Sequence, residues 1–223
     1  MSPPTESRPE NRPESRLENG CLIVIEGIDG AGKTTQYRRL ACRLRDEGWD
    51  VVELREPTDG PFGRRIRELA VAGRDHTSPM EELELFIEDR RENVRRSILP
   101  ALRRGAIVLL DRYYYSTIAY QGARGIDPAY VRARNEEFAP PADLLIYLTI
   151  PVEMAVRRIE VNREEARNLF EKESSLRQVK EIFDSMNDPQ LVAVDGTAQS
   201  DAVFERIWEI VRDFLQKRTG TPE

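Results

Sequence analysis

Residues 27–34 read Gly27-Ile28-Asp29-Gly30-Ala31-Gly32-Lys33-Thr34 and fill every fixed position of the pattern G-x-x-x-x-G-K-[ST]. An apolar run, residues 21–25, precedes this octapeptide, and a helix-forming stretch, residues 36–47, follows it. The octapeptide therefore stands at a strand-to-helix turn, where backbone N–H groups bind phosphate oxygens. In such a loop, Lys33 reaches the β and γ oxygens of a nucleoside triphosphate, and the Thr34 hydroxyl binds Mg²⁺.

Outside the octapeptide, short apolar runs alternate with longer amphipathic stretches, which is typical of parallel strands joined by crossover helices. We predict an α/β P-loop NTPase fold, with a five-stranded parallel sheet and helices on both faces. The longest helix should run over residues 79–104, and Pro100 should bend its last turn. The predicted strands are residues 21–26, 50–55, 106–110, 143–149 and 191–194.

Composition limits the classes of function. The 223 residues include 34 basic and 40 acidic side chains, and no segment concentrates lysine and arginine, so we expect no nucleic acid polymer as partner. The sequence has no apolar stretch of membrane-spanning length, so we expect no membrane partner and a cytoplasmic location. We expect a disordered tail over residues 1–19, one kinase domain over residues 20–218 and a flexible end over residues 219–223.

Charged residues follow two of the predicted strands. In open parallel sheets, ligands bind beyond the carboxyl ends of the strands. Arg55 follows the second strand and is suited to clamp a phosphate, although an Arg55–Glu56 surface ion pair is the alternative. Asp111 follows the third strand, where P-loop enzymes place a carboxylate that acts on Mg²⁺ or its waters, although it is also suited to a capping role.

The stretch after the third strand carries a more specific signal. Residues 111–122, DRYYYSTIAYQG, resemble the D-R-x-x-x-S-x-x-A-Y-Q-G signature of thymidylate kinases. Further segments similar to that family occur in the expected order, and together they span residues 21–215. They are residues 25–35 (IEGIDGAGKTT), 55–57 (REP), 141–144 (PADL) and 195–197 (DGT).

This resemblance implies a homodimeric enzyme that transfers the γ-phosphoryl group of Mg²⁺-bound ATP to dTMP, giving dTDP. It implies that Asp29 meets the 3′-hydroxyl of the acceptor sugar and that Tyr120 disfavours ribonucleotides. The other acceptor residues that it implies are Arg55 and Arg112 on the phosphate, Phe86 stacked on thymine, Arg90 on a thymine carbonyl oxygen, and Thr117 and Gln121 near the base.

The same resemblance implies a lid over about residues 158–170, in which Arg158 packs against adenine. Gly30 and Ala31 leave the P-loop without an arginine, so Arg163 or Arg167 should contact the transferring phosphoryl group. The expected catalytic residues are Lys33, Asp29, Arg112, Arg163 and Arg167, and the expected metal ligands are Thr34 and, through water, Asp111. The expected ATP-binding residues are Gly27, Ile28, Asp29, Gly30, Ala31, Gly32, Lys33, Thr34, Thr35 and Arg158.

Several alternatives stay open at this stage. Phe86 is also suited to the hydrophobic core, and Arg90 and the lid arginines to solvated helix faces. The chain departs from the family pattern at Asn168-Leu169 in the lid and at Thr58-Asp59-Gly60 after the second strand. The second hypothesis is accordingly a kinase for dUMP or another pyrimidine deoxynucleoside monophosphate, and a non-catalytic nucleotide-binding module is the third.

Overall fold

The structure, a computed structural model, describes residue 17 and residues 19–72, 77–160 and 169–220. Strands and helices alternate along these residues, as the apolar periodicity predicted. The strands are β1 (Cys21–Glu26), β2 (Val51–Arg55), β3 (Ile107–Asp111), β4 (Leu144–Thr149) and β5 (Leu191–Asp195). The helices are α1 (Lys33–Asp46), α2 (Pro61–Ala72), α3 (Pro79–Asn93), α4 (Leu99–Arg103), α5 (Tyr114–Gly122), α6 (Pro128–Glu136), α7 (Val152–Glu160), α8 (Leu169–Asp184) and α9 (Ser200–Thr219).

The described strands form one parallel sheet in the order β2-β3-β1-β4-β5. Every residue of β1 and β3 is buried, so helices cover both faces at the centre of the sheet. The register pairs Ile25 of β1 and Arg55 of β2 with Asp111 of β3. Because all the strands are parallel, these carboxyl ends meet at one edge, and the predicted fold class is confirmed.

The predicted long helix is divided by a π-helical segment, Val94–Ile98, between α3 and α4. Its start is fixed by a capping box between Ser78 and Glu81. Pro100 lacks an N–H and crowds the carbonyl one turn before it. The Leu99 N–H bonds instead to the Val94 carbonyl, so the distortion lies ahead of the proline and not in the last turn.

Leu17 lies in the hydrophobic core although the sequence placed it in the tail. Its exposed fraction is 6%, and its carbonyl lies so close to Gly105 that a Cβ there would approach within 2.4 Å. The other tail residue that the structure describes is Asn19, which is exposed. In the described part of the chain, no helix is both long enough and apolar enough to cross a membrane.

Candidate active site

The loop between β1 and α1 forms the first part of the site. Gly30 has φ +82°, and a Cβ on it would lie 2.6 Å from the Ala155 carbonyl oxygen of α7, so only glycine fits there. The Thr34 hydroxyl donates to Asp111 Oδ2 over 2.9 Å, which joins α1 to the end of β3. A cavity of about 210 Å³ opens here, lined by Asp29, Gly30, Gly32, Lys33, Thr34, Thr35, Arg55, Asp111 and Arg112.

Lys33 is buried beneath this loop. Its ammonium donates to the Ile28 carbonyl over 2.9 Å. Burial, together with the neighbouring Arg112 charge, lowers the pKa of Lys33 to about 7, although the carboxylates of Asp29, Glu26 and Asp111 act in the opposite direction. A bound polyphosphate would favour the charged form, so the loop is suited to anions.

A second cavity, of about 260 Å³, lies beside the loop cavity. The predicted acceptor residues that line it are Asp29, Phe86, Arg90, Arg112, Thr117, Tyr120 and Gln121. Phe86 lies outside the hydrophobic core of the described residues, so its alternative assignment as a core residue does not hold. Arg55 lines the loop cavity instead, at the phosphate end of the site.

Arg112 stands where the two cavities meet. It has a φ of +70°, a left-handed conformation that is uncommon for a residue with a Cβ. Its guanidinium donates to Asp29 Oδ1 over 2.5 Å and to Ser116 Oγ over 2.8 Å, and it lies 5.3 Å from the centre of the Tyr120 ring. The Tyr120 hydroxyl accepts from the Asp29 N–H over 3.1 Å. Asp29 and Arg112 line both cavities.

Arg90 is a buried residue and not part of a solvated helix face, since its exposed fraction is 1%. Its Nε donates to Glu56 Oε2 over 2.8 Å, and its Nη2 lies 2.7 Å from the same oxygen. Nη2 also donates to Thr117 Oγ1, and Nη1 donates to Asn135 Oδ1. Glu56 therefore pairs with Arg90, and the alternative of an Arg55–Glu56 surface pair is wrong.

The Thr58-Asp59-Gly60 turn, where the sequence departs from the family pattern, is held by α3. Asp89 accepts from the Thr58 N–H over 2.8 Å and from the Thr58 hydroxyl over 2.6 Å. Arg67 of α2 adds hydrogen bonds to the Pro57 and Thr58 carbonyls. The altered turn is thus fixed beside the second cavity, which Pro57 and Arg67 line.

Arg158, predicted to pack against adenine, lies between the phosphate-binding loop and the turn after β5. Its guanidinium donates to the Gly30 carbonyl over 3.4 Å and to the Gly196 carbonyl over 3.2 Å. Arg163, Arg167 and Asn168 lie outside the described residues, and so does most of the predicted lid.

Sequence reasoning missed several residues that shape the site. Glu26 is fully buried and accepts from the Tyr113 N–H, the Ser116 N–H and the Ser116 hydroxyl, which fixes the start of α5. The signal was available, because Glu26 ends a buried strand as Asp111 does. Glu56 lies in the family-like segment 55–57 and lines the second cavity, but it was considered only as a partner of Arg55. No local pattern pointed to Asn135, which acts through the distant Arg90.

The fold and the loop together define a class of protein. A parallel sheet of order β2-β3-β1-β4-β5, with a Gly-Lys-Thr loop after its central strand, is the architecture of a P-loop NTPase. The second cavity beside the loop adds room for a phosphoryl acceptor.

Comparison with known proteins narrows this class. A sequence model of the thymidylate kinase family matches residues 25–207. The chain is 50% identical over 188 residues to the thymidylate kinase of Akkermansia muciniphila, covering 84% of this chain and 89% of that protein. It is 47% identical over 197 residues to the thymidylate kinase of Desulfotalea psychrophila, covering 88% of this chain and 96% of that protein. It is 43% identical over 200 residues to the probable thymidylate kinase of Archaeoglobus fulgidus, covering 90% of this chain and 99% of that protein. The chain belongs to the thymidylate kinase family.

Proposed function

We propose that this protein transfers the γ-phosphoryl group of ATP to the 5′-phosphate of dTMP, giving ADP and dTDP. The observation that carries the proposal is the pair of adjoining cavities that share Asp29 and Arg112. A phosphate-binding loop lines one cavity. Phe86, Arg90 and Tyr120 are among the side chains that line the other. An acceptor oxygen therefore meets the γ-phosphorus at their junction as the bond from the γ-phosphorus to ADP breaks.

The loop cavity would hold the donor. Phosphoryl transfer offers a protein little covalent chemistry, so the site acts by positioning and by neutralising charge. The loop amides and Lys33 hold the phosphates, and Arg112 at the junction faces the acceptor phosphate. Arg55 adds a second guanidinium at the same edge. Arg163 or Arg167, in the predicted lid, would complete the charge around the transferring group.

The second cavity suits a pyrimidine with a carbonyl at position 4. Arginine is a donor only. Four of the five Arg90 N–H groups have partners in Glu56, Thr117 and Asn135, and the remaining Nη1–H has none among the described residues. That N–H bonds the 4-carbonyl of thymine, whereas the 4-amino group of cytosine would oppose it. Phe86 stacks on the ring, and Asp29 meets the 3′-hydroxyl.

The ligands available for Mg²⁺ are the Thr34 hydroxyl and, through water, the Asp111 carboxylate. Both are hard oxygen donors, and they lie 2.9 Å apart in contact. In the described residues, no three His, Cys, Asp or Glu side chains form a metal-binding group. This suits Mg²⁺, which proteins usually bind through one or two side chains together with substrate phosphates. The ion would neutralise phosphate charge.

A panel of acceptors tests the proposal. The protein is incubated with Mg-ATP and, in separate reactions, dTMP, dUMP, dCMP or TMP with a ribose sugar, while ADP release is measured. We expect the highest kcat/KM with dTMP, and at least about 100-fold less with dCMP, whose 4-amino group leaves Arg90 unpaired. Higher kcat/KM with dUMP would favour the alternative acceptor. ADP release equal to that with ATP alone would favour a non-catalytic module. The homodimer and the cytoplasmic location stay predictions.

A further inference from the structure

One Nη1–H of Arg90 is the N–H proposed above to meet the base. Its direction depends on which residues hold the guanidinium. Glu56 Oε2 contacts Nε and Nη2, on the edge of the guanidinium away from Nη1. Nη1 carries both the N–H that donates to Asn135 and the N–H that has no partner among the described residues. Because the guanidinium is planar and rigid, fixing one Nη1–H fixes the direction of the other.

Asn135 accepts the hydrogen bond that fixes the first Nη1–H. It lies on α6, its exposed fraction is 0%, and its Oδ1 accepts from Arg90 Nη1 over 2.5 Å. Its Nδ2 donates to the Val131 carbonyl over 2.8 Å, one turn earlier on the same helix. This second bond sets the orientation of the amide, since a flipped amide would place a donor against Arg90 and an acceptor against a carbonyl.

Neutralising the Arg90 charge does not require Asn135. Glu56 supplies the counter-charge and is itself held by Asn93, whose Nδ2 donates to Glu56 Oε1 over 3.0 Å. No α6 residue is among the described residues that line the acceptor cavity, so Asn135 does not reach a ligand there directly. Its contact with the site runs through Arg90.

We propose that Asn135 is a positioning residue for base recognition, which holds Arg90 so that its remaining N–H meets the 4-carbonyl of the acceptor base. The inference rests on the proposed function and assigns part of its specificity to a residue outside the cavity. Loss of the Asn135 oxygen leaves Arg90 paired with Glu56 and Thr117, but the guanidinium as a whole can then tilt about those contacts and move its remaining N–H. Base selection then weakens while the donor site is unchanged.

The test compares Asn135→Ala with the wild-type protein and with two matched variants. Asn135→Asp keeps an oxygen acceptor for Arg90 at the same length and, as the neutral carboxylic acid, an O–H donor for the Val131 carbonyl. Val131→Ala opens a cavity at the other buried position of α6 and keeps the backbone carbonyl that holds the Asn135 amide. For each protein, kcat and KM are measured with dTMP, dCMP and ATP, and the thermal midpoint is recorded.

For Asn135→Ala we expect about a tenfold rise in KM for dTMP and about a tenfold loss of preference for dTMP over dCMP, the size of one charge-assisted hydrogen bond. KM for ATP should stay within about twofold, because no donor-site contact changes. Asn135→Asp should recover most of the preference. Val131→Ala should lower the thermal midpoint and leave the preference intact.

An unchanged preference in Asn135→Ala would overturn the inference, and so would an equal loss in Val131→Ala. If the alanine variant does not fold, Asn135→Ser carries the same expectation, because its shorter side chain does not reach Arg90. Wild-type turnover of dTMP reports separately on the proposed function. A wild-type protein that uses dTMP, with variants that discriminate equally well, contradicts the role of Asn135 alone.

Discussion

Replacing Lys33 with methionine should stabilise the nucleotide-free protein while abolishing phosphoryl transfer. Methionine keeps the length of the side chain and removes the charge. The Lys33 ammonium is buried, and its one hydrogen bond to protein given by the structure goes to the Ile28 carbonyl. That carbonyl also accepts from the Ala31 N–H over 3.2 Å, so it keeps a partner in the variant. Transfer is lost because nothing replaces the charge between the β and γ phosphates.

The size of the effect follows from the pKa of Lys33, which falls from 10.5 to about 7 on folding. Because the pKa is lower in the folded state, the unfolded state binds more protons between pH 7 and 10.5, and the free energy of unfolding rises with pH across that window. At pH 7 the burial of the lysine costs about 4 kcal/mol. Loss of the hydrogen bond offsets about 1 kcal/mol. Lys33→Met should therefore be more stable by about 3 kcal/mol at pH 7 and by about 1 kcal/mol at pH 9.

Urea unfolding of both proteins without nucleotide, at pH 7, 8 and 9, measures this difference. Comparing the two proteins at each pH cancels the titration of all other groups. Lys217→Met, at an exposed position of α9, controls for the loss of a lysine charge. A difference that does not narrow with rising pH, or a methionine variant that is less stable at pH 7, would refute the reasoning. Saturating Mg-ATP should stabilise the wild-type protein more than the variant.

Three further predictions concern the loop and the junction. Arg112→Ala should raise KM for dTMP at least about 100-fold while the Kd for ATP measured by calorimetry stays within about threefold, because the variant loses the guanidinium proposed to bind the acceptor phosphate. Comparable losses for both ligands would remove Arg112 from the acceptor side. Gly30→Ala should lower the free energy of unfolding by about 2 kcal/mol or more, since φ is +82° and a Cβ would lie 2.6 Å from the Ala155 carbonyl; an unchanged urea midpoint would contradict this. Asp111→Asn should raise the Mg²⁺ concentration for half-maximal activity about tenfold, as one carboxylate beside Thr34 is lost; an unchanged Mg²⁺ titration would place the carboxylate outside the metal site.

The strands and the phosphate-binding loop were predictable because their signals are local. Each predicted strand lies within a residue of the observed one at either end, since apolar runs bounded by turns mark strand positions directly. The parallel order then places every strand end at one edge, which is why Asp111 could be assigned beside Thr34. The resemblance to thymidylate kinases supplied the acceptor residues, and all of them except Arg55 line the second cavity.

The supporting contacts were not predictable because they join distant parts of the chain. Arg90 and Asn135 are 45 residues apart, and Asn135 stands between the charged residues Arg134 and Glu136, so no local pattern marked it as buried. The assignment of Arg90 to a solvated face failed for the same reason, since a long polar side chain among charged neighbours carries no local sign of burial. Glu56 looked like a partner for the adjacent Arg55, whereas its buried carboxylate pairs with Arg90, which lies 34 residues further along the chain.

The central claim is that the two cavities that share Asp29 and Arg112 hold the donor and the acceptor of one transfer. ATP labelled in its γ-phosphate, incubated with the protein and dTMP, tests it most directly. We expect the label to appear in dTDP at a rate that saturates with both substrates. Label that appears only as inorganic phosphate, or no transfer to dTMP at any concentration, would contradict it.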